Sequence, residues 1–220
     1  MSKDISKEIK IFAEGIKTPK DILDVGCGLR PYEQFFKNSR YTGIDIEMSG
    51  REAENKKPDK IYDGLNIPFP DESFDIAICT EVLEHCINPE KLLKEMHRVL
   101  KKKGVLFLTV PFIWGEHEIP YDFSRYSSYG IRKDIENAGF KITAQKKIAS
   151  GVKTIEQLVS SEITNYKNSP SYNVNLLQKL KEFFLYYIWL LSLRLLDSTY
   201  ALDRIYLDNL VIAEKILKLK

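Results

Sequence analysis

Asp21-Ile22-Leu23-Asp24-Val25-Gly26-Cys27-Gly28-Leu29-Arg30-Pro31-Tyr32 is the stretch whose reading decides the fold. Ile22 to Val25 is a short apolar run, as in a parallel strand covered on both faces. It stops at Gly26 and Gly28, where missing side chains permit tight curvature and close approach of a ligand. Pro31 suits the first turn of a helix, where an absent N–H costs nothing. Strand, glycine turn and helix start predict a nucleotide-type site at the carboxyl end of a sheet. A dinucleotide fingerprint requires a third glycine at position 31, and Pro31 stands there. That substitution argues against a nicotinamide oxidoreductase.

Further along, Tyr41 to Glu47 reads as a second strand ending in acids, about 20 residues beyond the glycines. Parallel neighbours end side by side, so a carboxylate here reaches a ribose. Asp45 is the first candidate and Glu47 the reserve. Lys60 to Gly64 is a brief third strand, followed by the turn-rich segment Leu65 to Asp75. Phe74 to Thr80 is a fourth strand and Glu81-Val82-Leu83-Glu84-His85 follows it. Asn88 and Pro89 cap a helix whose inner face is Leu92, Leu93, Met96, Val99 and Leu100, with Gly104 as its stop. Lys101, Lys102 and Lys103 then complement the helix dipole. Val105 to Val110 is a fifth strand. Ser127 or Ser128 starts a helix with Ile131, Ile135 and Ala138 inward, and Phe140 to Ile148 alternates as a sixth strand. Ile5, Ile9, Phe12 and Ile16 make the first 16 residues an amphipathic helix.

Leu-Asp-Val-Gly-Cys-Gly, Gly43-Ile44-Asp45-Ile46, the run from Asp63 through Pro68-Phe69 to Ser73-Phe74-Asp75, and Glu81 to His85 together resemble class I S-adenosylmethionine-dependent methyltransferases. The likeness is to their type 11-like domain. It covers residues 20 to 148 and, more weakly, 205 to 215, where Asn209 to Lys215 resembles the family's last strand. It implies a three-layer α/β, Rossmann-like fold with a seven-stranded, mostly parallel sheet and an antiparallel last strand. It also implies S-adenosyl-L-methionine as cofactor. The matching positions are Asp24, Gly26, Cys27 and Gly28 in the first turn, and Asp45 and Ile46 at the second strand end. Asp63, Gly64 and Leu65 follow the third strand, with Asp63 at the adenine amino group. Thr80 and Glu81 follow the fourth, and Glu81 lies near the sulfonium and amino cations. The family has a small residue where Arg30 stands; Arg30 is either solvated or directed at the methionine carboxylate.

The implied activity is methyl transfer to a small-molecule, glycan or lipid-linked acceptor. A rival of another class is a non-catalytic protein of the same fold that binds the cofactor or a partner. The loop after the fifth strand, Phe112 to Tyr126, is rich in aromatics and carries His117, Asp122 and Arg125. Loops at this end of such a sheet carry function. Imidazole is the side chain whose unperturbed pKa lies nearest neutrality, so His117 is the candidate base. Asp122 would orient it and Arg125 would pair with Asp122 or with an anionic substrate; a purely structural loop is the competing reading. His85 and His97 read as structural.

Composition is that of an ordinary globular protein, 44% hydrophobic and 29% charged, and a net charge of +2 gives no case for nucleic acid. Cys27, Cys79 and Cys86 lack metal-ligand spacing and read as reduced thiols of a cytoplasmic protein. No metal is expected. Met1 to Lys10 is charged throughout and does not read as a signal peptide. The chain reads as one domain, 1–220, with a helical insertion at 152–204 before the last strand, far longer than an ordinary loop. Within it, 183–196 is apolar nearly all round and calls for burial in a cap, a homodimer interface or a peripheral membrane contact. Arg194 and Asp197 come too early for a span of about 20 apolar residues.

Overall fold

The computed structural model describes residues 3–48, 56–169, 175–199 and 204–216. Most of the polar stretch from Met48 to Pro58 therefore lies outside the described residues. The chain divides into two compact units, one of 1–112, 116–148 and 208–220, the other of 113–115 and 149–207.

The first unit carries a seven-stranded sheet in the order β3-β2-β1-β4-β5-β7-β6. The strands are β1 (Asp21–Val25), β2 (Arg40–Ile46), β3 (Lys60–Tyr62), β4 (Phe74–Thr80), β5 (Leu100–Pro111), β6 (Phe140–Ser150) and β7 (Tyr206–Lys215). Strand β1 pairs in parallel with β2 and β4, β2 with β3, and β4 with β5. Strand β7 runs antiparallel to β5, with Leu108 opposite Val211. The sequence reading of strand count and last-strand direction holds.

Alternation along the strands fills two layers. Leu23, Val25, Ala77, Cys79, Leu106 and Leu108 join a core with helix α2 (Pro89–Val99) and helix α3 (Ser128–Asn137), through Leu92, Leu93, Met96, Ile131 and Ile135. Phe107 points the other way, as its neighbours' orientation requires. There it meets Phe12 of helix α1 (Lys3–Glu14), ring centroids 5.1 Å apart. Helices on both faces make the three-layer α/β fold. The capping residues act as the sequence predicts: the Asn88 side chain accepts from the Lys91 N–H at 3.0 Å, and Ser127 accepts from Gly130 at 3.1 Å.

Two expectations are corrected. No regular helix follows the glycine turn; after Pro31 there is a single 3-10 turn, Glu33–Phe35. Tyr32 and Phe36 are buried on either side of it, which anchors the segment as a tight return to β2. Helix α2 also ends at Val99 rather than near Gly104, and the lysine run belongs to β5. Lys101 Nζ sits 2.9 Å from both Asp21 and Asp75, holding together the starting ends of β1 and β4.

The second unit contains helices α4 (Val152–Lys167) and α5 (Leu176–Thr199). Ser160 and Tyr186 share a hydrogen bond of 2.8 Å, and Arg194 pairs with Glu156 at 3.2 Å. Along α5, Phe183, Phe184, Leu185, Tyr187, Ile188 and Leu191 are exposed, from 51% at Ile188 to 65% at Phe184. Among the described residues no helix is long and apolar enough to cross a membrane.

Candidate active site

The carboxyl ends of β1, β2, β3 and β4 open onto a cleft of about 630 Å³ in the first unit. Its size is that of a small-molecule site. Gly26, Asp45, Ile46, Asp63, Gly64, Leu65 and Glu81 line it, as do Val82, His85, Glu118 and Tyr121. Seven of the eleven positions read from sequence as cofactor contacts thus share one cavity.

The glycine turn is shaped by its neighbours. Gly26 has φ +72°, and a Cβ there would lie 2.4 Å from a Val82 methyl, so backbone and packing both exclude a side chain. Arg30 adopts φ +58°, the conformation a small residue would take without strain. Its guanidinium bonds Asp59 at 2.7 Å and Glu33 at 2.9 Å, so it is neither solvated nor directed at the cleft. The Gly28 N–H donates to Asp45 Oδ2 at 2.9 Å, and the Ile46 N–H to Oδ1 at 2.8 Å. Lys56 Nζ lies 3.7 Å from the same carboxylate. Asp45 is therefore oriented before any ligand arrives. Asp63 is likewise fixed, its Oδ1 accepting from the N–H groups of Leu65 and Asn66. Those bonds hold its carboxyl down at about 2.

Four expected positions stand back from the cleft. Asp24 is buried and accepts from the Tyr41 hydroxyl, and burial pushes its carboxyl up to about 7. Cys27 packs its sulfur against Gly43, where a Cβ would come within 2.8 Å, and burial pushes its thiol up to about 12. Gly28 faces Asp45, and Thr80 pairs with Thr109 in the β4–β5 ladder. These residues shape the turn and the sheet rather than the cavity wall.

Glu81 has φ +53°, and its Oε1 accepts from the Thr109 hydroxyl at 2.7 Å. A strained backbone at a strand end is a recurrent feature of functional sites. The loop after β5 closes the same side. Asp122 receives a two-pronged contact from Arg125, at 2.6 and 2.7 Å, and the His117 N–H at 2.9 Å. These bonds hold its carboxyl at about 2. His117 Nδ1 lies 3.3 Å from Asp122 Oδ2, so the three residues singled out in the sequence contact one another, although none of them lines the cleft itself.

Sequence reasoning missed two residues beside this loop, His85 on the cleft wall and Glu84 buried behind it. The His85 ring stacks edge-on to His117, centroids 4.8 Å apart, and its Nδ1 lies 2.7 Å from the Tyr121 carbonyl oxygen. A carbonyl only accepts, so Nδ1 carries the proton and Nε2 presents its lone pair. Beside it, Glu84 is fully buried, and among the described residues neither carboxylate oxygen finds a hydrogen-bond partner outside its own residue. Burial, followed by the charge of Glu81, raises the Glu84 carboxyl well above its ordinary value. Burial likewise lowers the His85 imidazole. The available signal was position: both residues lie in the segment that leaves the central strand.

Residues 23–108 match the sequence family described as "Methyltransferase domain". The chain is 32% identical over 172 residues to the uncharacterized protein MJ0638 of Methanocaldococcus jannaschii, spanning 74% of this chain and 75% of that one. It spans 43% and 40% of two further curated relatives. Among solved structures, the [4+2]-cyclase SpnF superposes with a TM-score of 0.62 at 17% identity, covering 96% of this chain and 82% of the other. Phosphoethanolamine N-methyltransferase 2 of Haemonchus contortus, in complex with S-adenosyl-L-methionine, gives 0.58 at 17% identity, covering 98% and 53%.

The buried acid behind the turn generates a pH prediction. A carboxyl moved from 3.8 to about 7 binds its proton more tightly folded than unfolded, so its effect on stability turns unfavourable as pH rises through that window. Asp24→Asn keeps an acceptor for Tyr41 and removes the charge. Urea unfolding should show the variant gaining roughly 1–4 kcal/mol over wild type at pH 8, with little gain at pH 4. Parallel pH profiles for the two proteins would refute this account of Asp24.

Proposed function

The chain belongs to the class I S-adenosylmethionine-dependent methyltransferases, and on that footing we propose transfer of a methyl group to a nucleophile of a small-molecule, glycan or lipid-linked acceptor. The observation that carries this reading is one cleft flanked by an oriented strand-end acid, Asp45, and by the histidine loop after β5. S-adenosylmethionine supplies an electrophilic methyl group on a sulfonium centre.

The cleft suits that donor in chemistry as well as in size. Asp45 offers acceptor lone pairs to ribose hydroxyls, and Asp63 stands at the far side for an amino group. Glu81 places negative charge where a sulfonium and an ammonium would lie, which is favourable in a partly desolvated site. The chain's own contribution is to align donor and acceptor and to receive the acceptor's proton. His117 is the residue proposed for that proton. Its side chain is 29% exposed against 12% for His85, and the Asp122–Arg125 pair behind it fixes the ring. Losing the proton to imidazole leaves a charge that Asp122 stabilises.

Asp45→Ala removes hydrogen bonds to a charged acceptor, each contributing about 1.5–3 kcal/mol. Titration calorimetry should show S-adenosylmethionine binding weakened roughly 10- to 100-fold. Unchanged affinity in the folded variant would remove Asp45 from the ribose site. With an acceptor found by labelled-methyl screening of metabolite, glycan and lipid extracts, His117→Ala should lower turnover by at least about 100-fold and leave donor affinity intact. A variant that methylates at the wild-type rate would leave His117 only a structural part.

For α5 we propose contact with a membrane surface. Tyr186, Tyr187 and Trp189 are of the amphipathic aromatic type that settles at headgroup level, and Lys179 and Lys181 precede them on the helix. The protein should sediment with anionic vesicles at low salt, and Trp189→Glu should release it. Protein that stays in the supernatant, or that buries α5 in a dimer seen by light scattering, contradicts the membrane reading.

A further inference from the structure

Glu84, His85 and His117 converge: one ligand-type atom from each lies within 4.8 Å of the other two. The sequence reading expects no metal. The fold assembles them by bringing the segment after β4 against the loop after β5. Glu84 Oε1 stands 3.7 Å from His85 Nε2, too far for a hydrogen bond. It is close to the edge of about 3.4 Å that a tetrahedral ion with bonds of about 2.0–2.1 Å would impose. Both Glu84 oxygens and His85 Nε2 are buried polar atoms without a hydrogen-bond partner in another residue among the described residues. Such atoms cost stability unless something binds them.

The outer contacts are those of metal-ligating histidines. The His85 Nδ1 faces the Tyr121 carbonyl, and the His117 Nδ1 faces the Asp122 carboxylate. An Nδ1–H anchored this way aims Nε2 at an ion and raises its basicity. Charge agrees. Arg125 is engaged by Asp122, while Glu84 sits close enough to Glu81 for their charges to repel. A cation between Glu84 and the imidazoles relieves that repulsion.

We propose that Glu84, His85 and His117 form a binding site for a divalent transition cation of the zinc class. Two imidazoles and one carboxylate leave a fourth position for water or for an acceptor oxygen. His85 also lines the cleft, so that position adjoins the acceptor side, and the inference rests on the reading of this wall given above. With the ion bound, an acceptor hydroxyl would meet a Lewis acid and lose its proton to water, and His117 would be the proton acceptor only in the ion-free site.

The full chain, stripped with a chelator and dialysed, is titrated with Zn²⁺ by calorimetry and with Co²⁺ by visible absorption. The expected result is one ion per chain and the d–d bands of low-coordinate Co²⁺. Glu84→Gln and His117→Ala should each weaken Zn²⁺ binding at least about tenfold. His97→Ala, whose ring stacks on Phe140 away from the cleft, should bind as wild type does. Circular dichroism checks folding, and the part-exposed His117 variant carries the test if Glu84→Gln does not fold. Absence of stoichiometric binding, or binding that survives both substitutions, overturns the site. Zn²⁺ binding is read without the methyl donor, so its failure alongside intact donor binding and methyl transfer would sink this inference and leave the proposed function standing.

Discussion

One hydrogen bond, from the Gly28 N–H to Asp45 at 2.9 Å, ties the turn after β1 to the end of β2. Much of the cleft depends on it. The bond requires an N–H that points sideways out of a tight turn, which Gly28 provides at φ +51°. It also requires that β1 and β2 be parallel and in register, with Val25 opposite Ile44, so that the two ends meet. The Gly26 and Cys27 N–H groups both close on the Ile44 carbonyl, at 2.8 and 3.0 Å, which holds the turn against the same strand. An acid fixed by backbone donors loses little freedom when a ligand hydroxyl arrives, and that pre-organisation favours binding.

The sheet order then determines which side chains share the cavity. With β1 flanked by β2 on one side and β4 on the other, the chain runs outward from β1 through β2 to β3 and then crosses back to β4, which leaves a switch point between β1 and β4 beside the glycine turn. Crevices form at such switch points. Asp45 lies to one side and Glu81 to the other, and the β5 loop beyond Glu81 lines the cavity through Glu118 and Tyr121 while carrying His117, Asp122 and Arg125 beside it. Val82 connects the two halves, since its methyl groups fill the space that a side chain at position 26 would need.

Local signals made most of this legible. Leu-Asp-Val-Gly-Cys-Gly, the Asn88–Pro89 start and the Ser127 cap are short-range patterns whose physics is complete within a few residues. The failures were of a different kind. Pro31 is compatible with a helix but does not compel one, and burial of Tyr32 and Phe36 led the chain into a tight return. Three lysines before a glycine match a helix end, yet Asp21 and Asp75 draw Lys101 into a strand, an attraction between residues far apart in sequence. Arg30 sits where the turn needs positive φ, and its guanidinium is held by Asp59, which no local pattern announces. Glu84 and His85 were the hardest to read. Adjacent residues of a short turn say nothing about a histidine that arrives on another loop.

Fold alone leaves the chemistry open, because a cyclase shares this architecture with methyltransferases. What distinguishes this chain is the charge it has buried. Asp24 is neutralised in part by a tyrosine hydroxyl, and Asp45 by backbone donors and Lys56. Glu84 and Asp208 have their carboxyls raised by burial first and by the charge of Glu81 second. Arg125, whose charge reaches Glu84, is already bound to Asp122. Buried acids that share a neighbouring charge, as Glu84 and Asp208 share Glu81, repel it and resist ionisation until positive charge arrives. On the function proposed above, a cationic ligand beside Glu81 would offset that repulsion, and a sulfonium would be held more strongly than its neutral thioether product. The same asymmetry would help release once the positive charge on sulfur has gone.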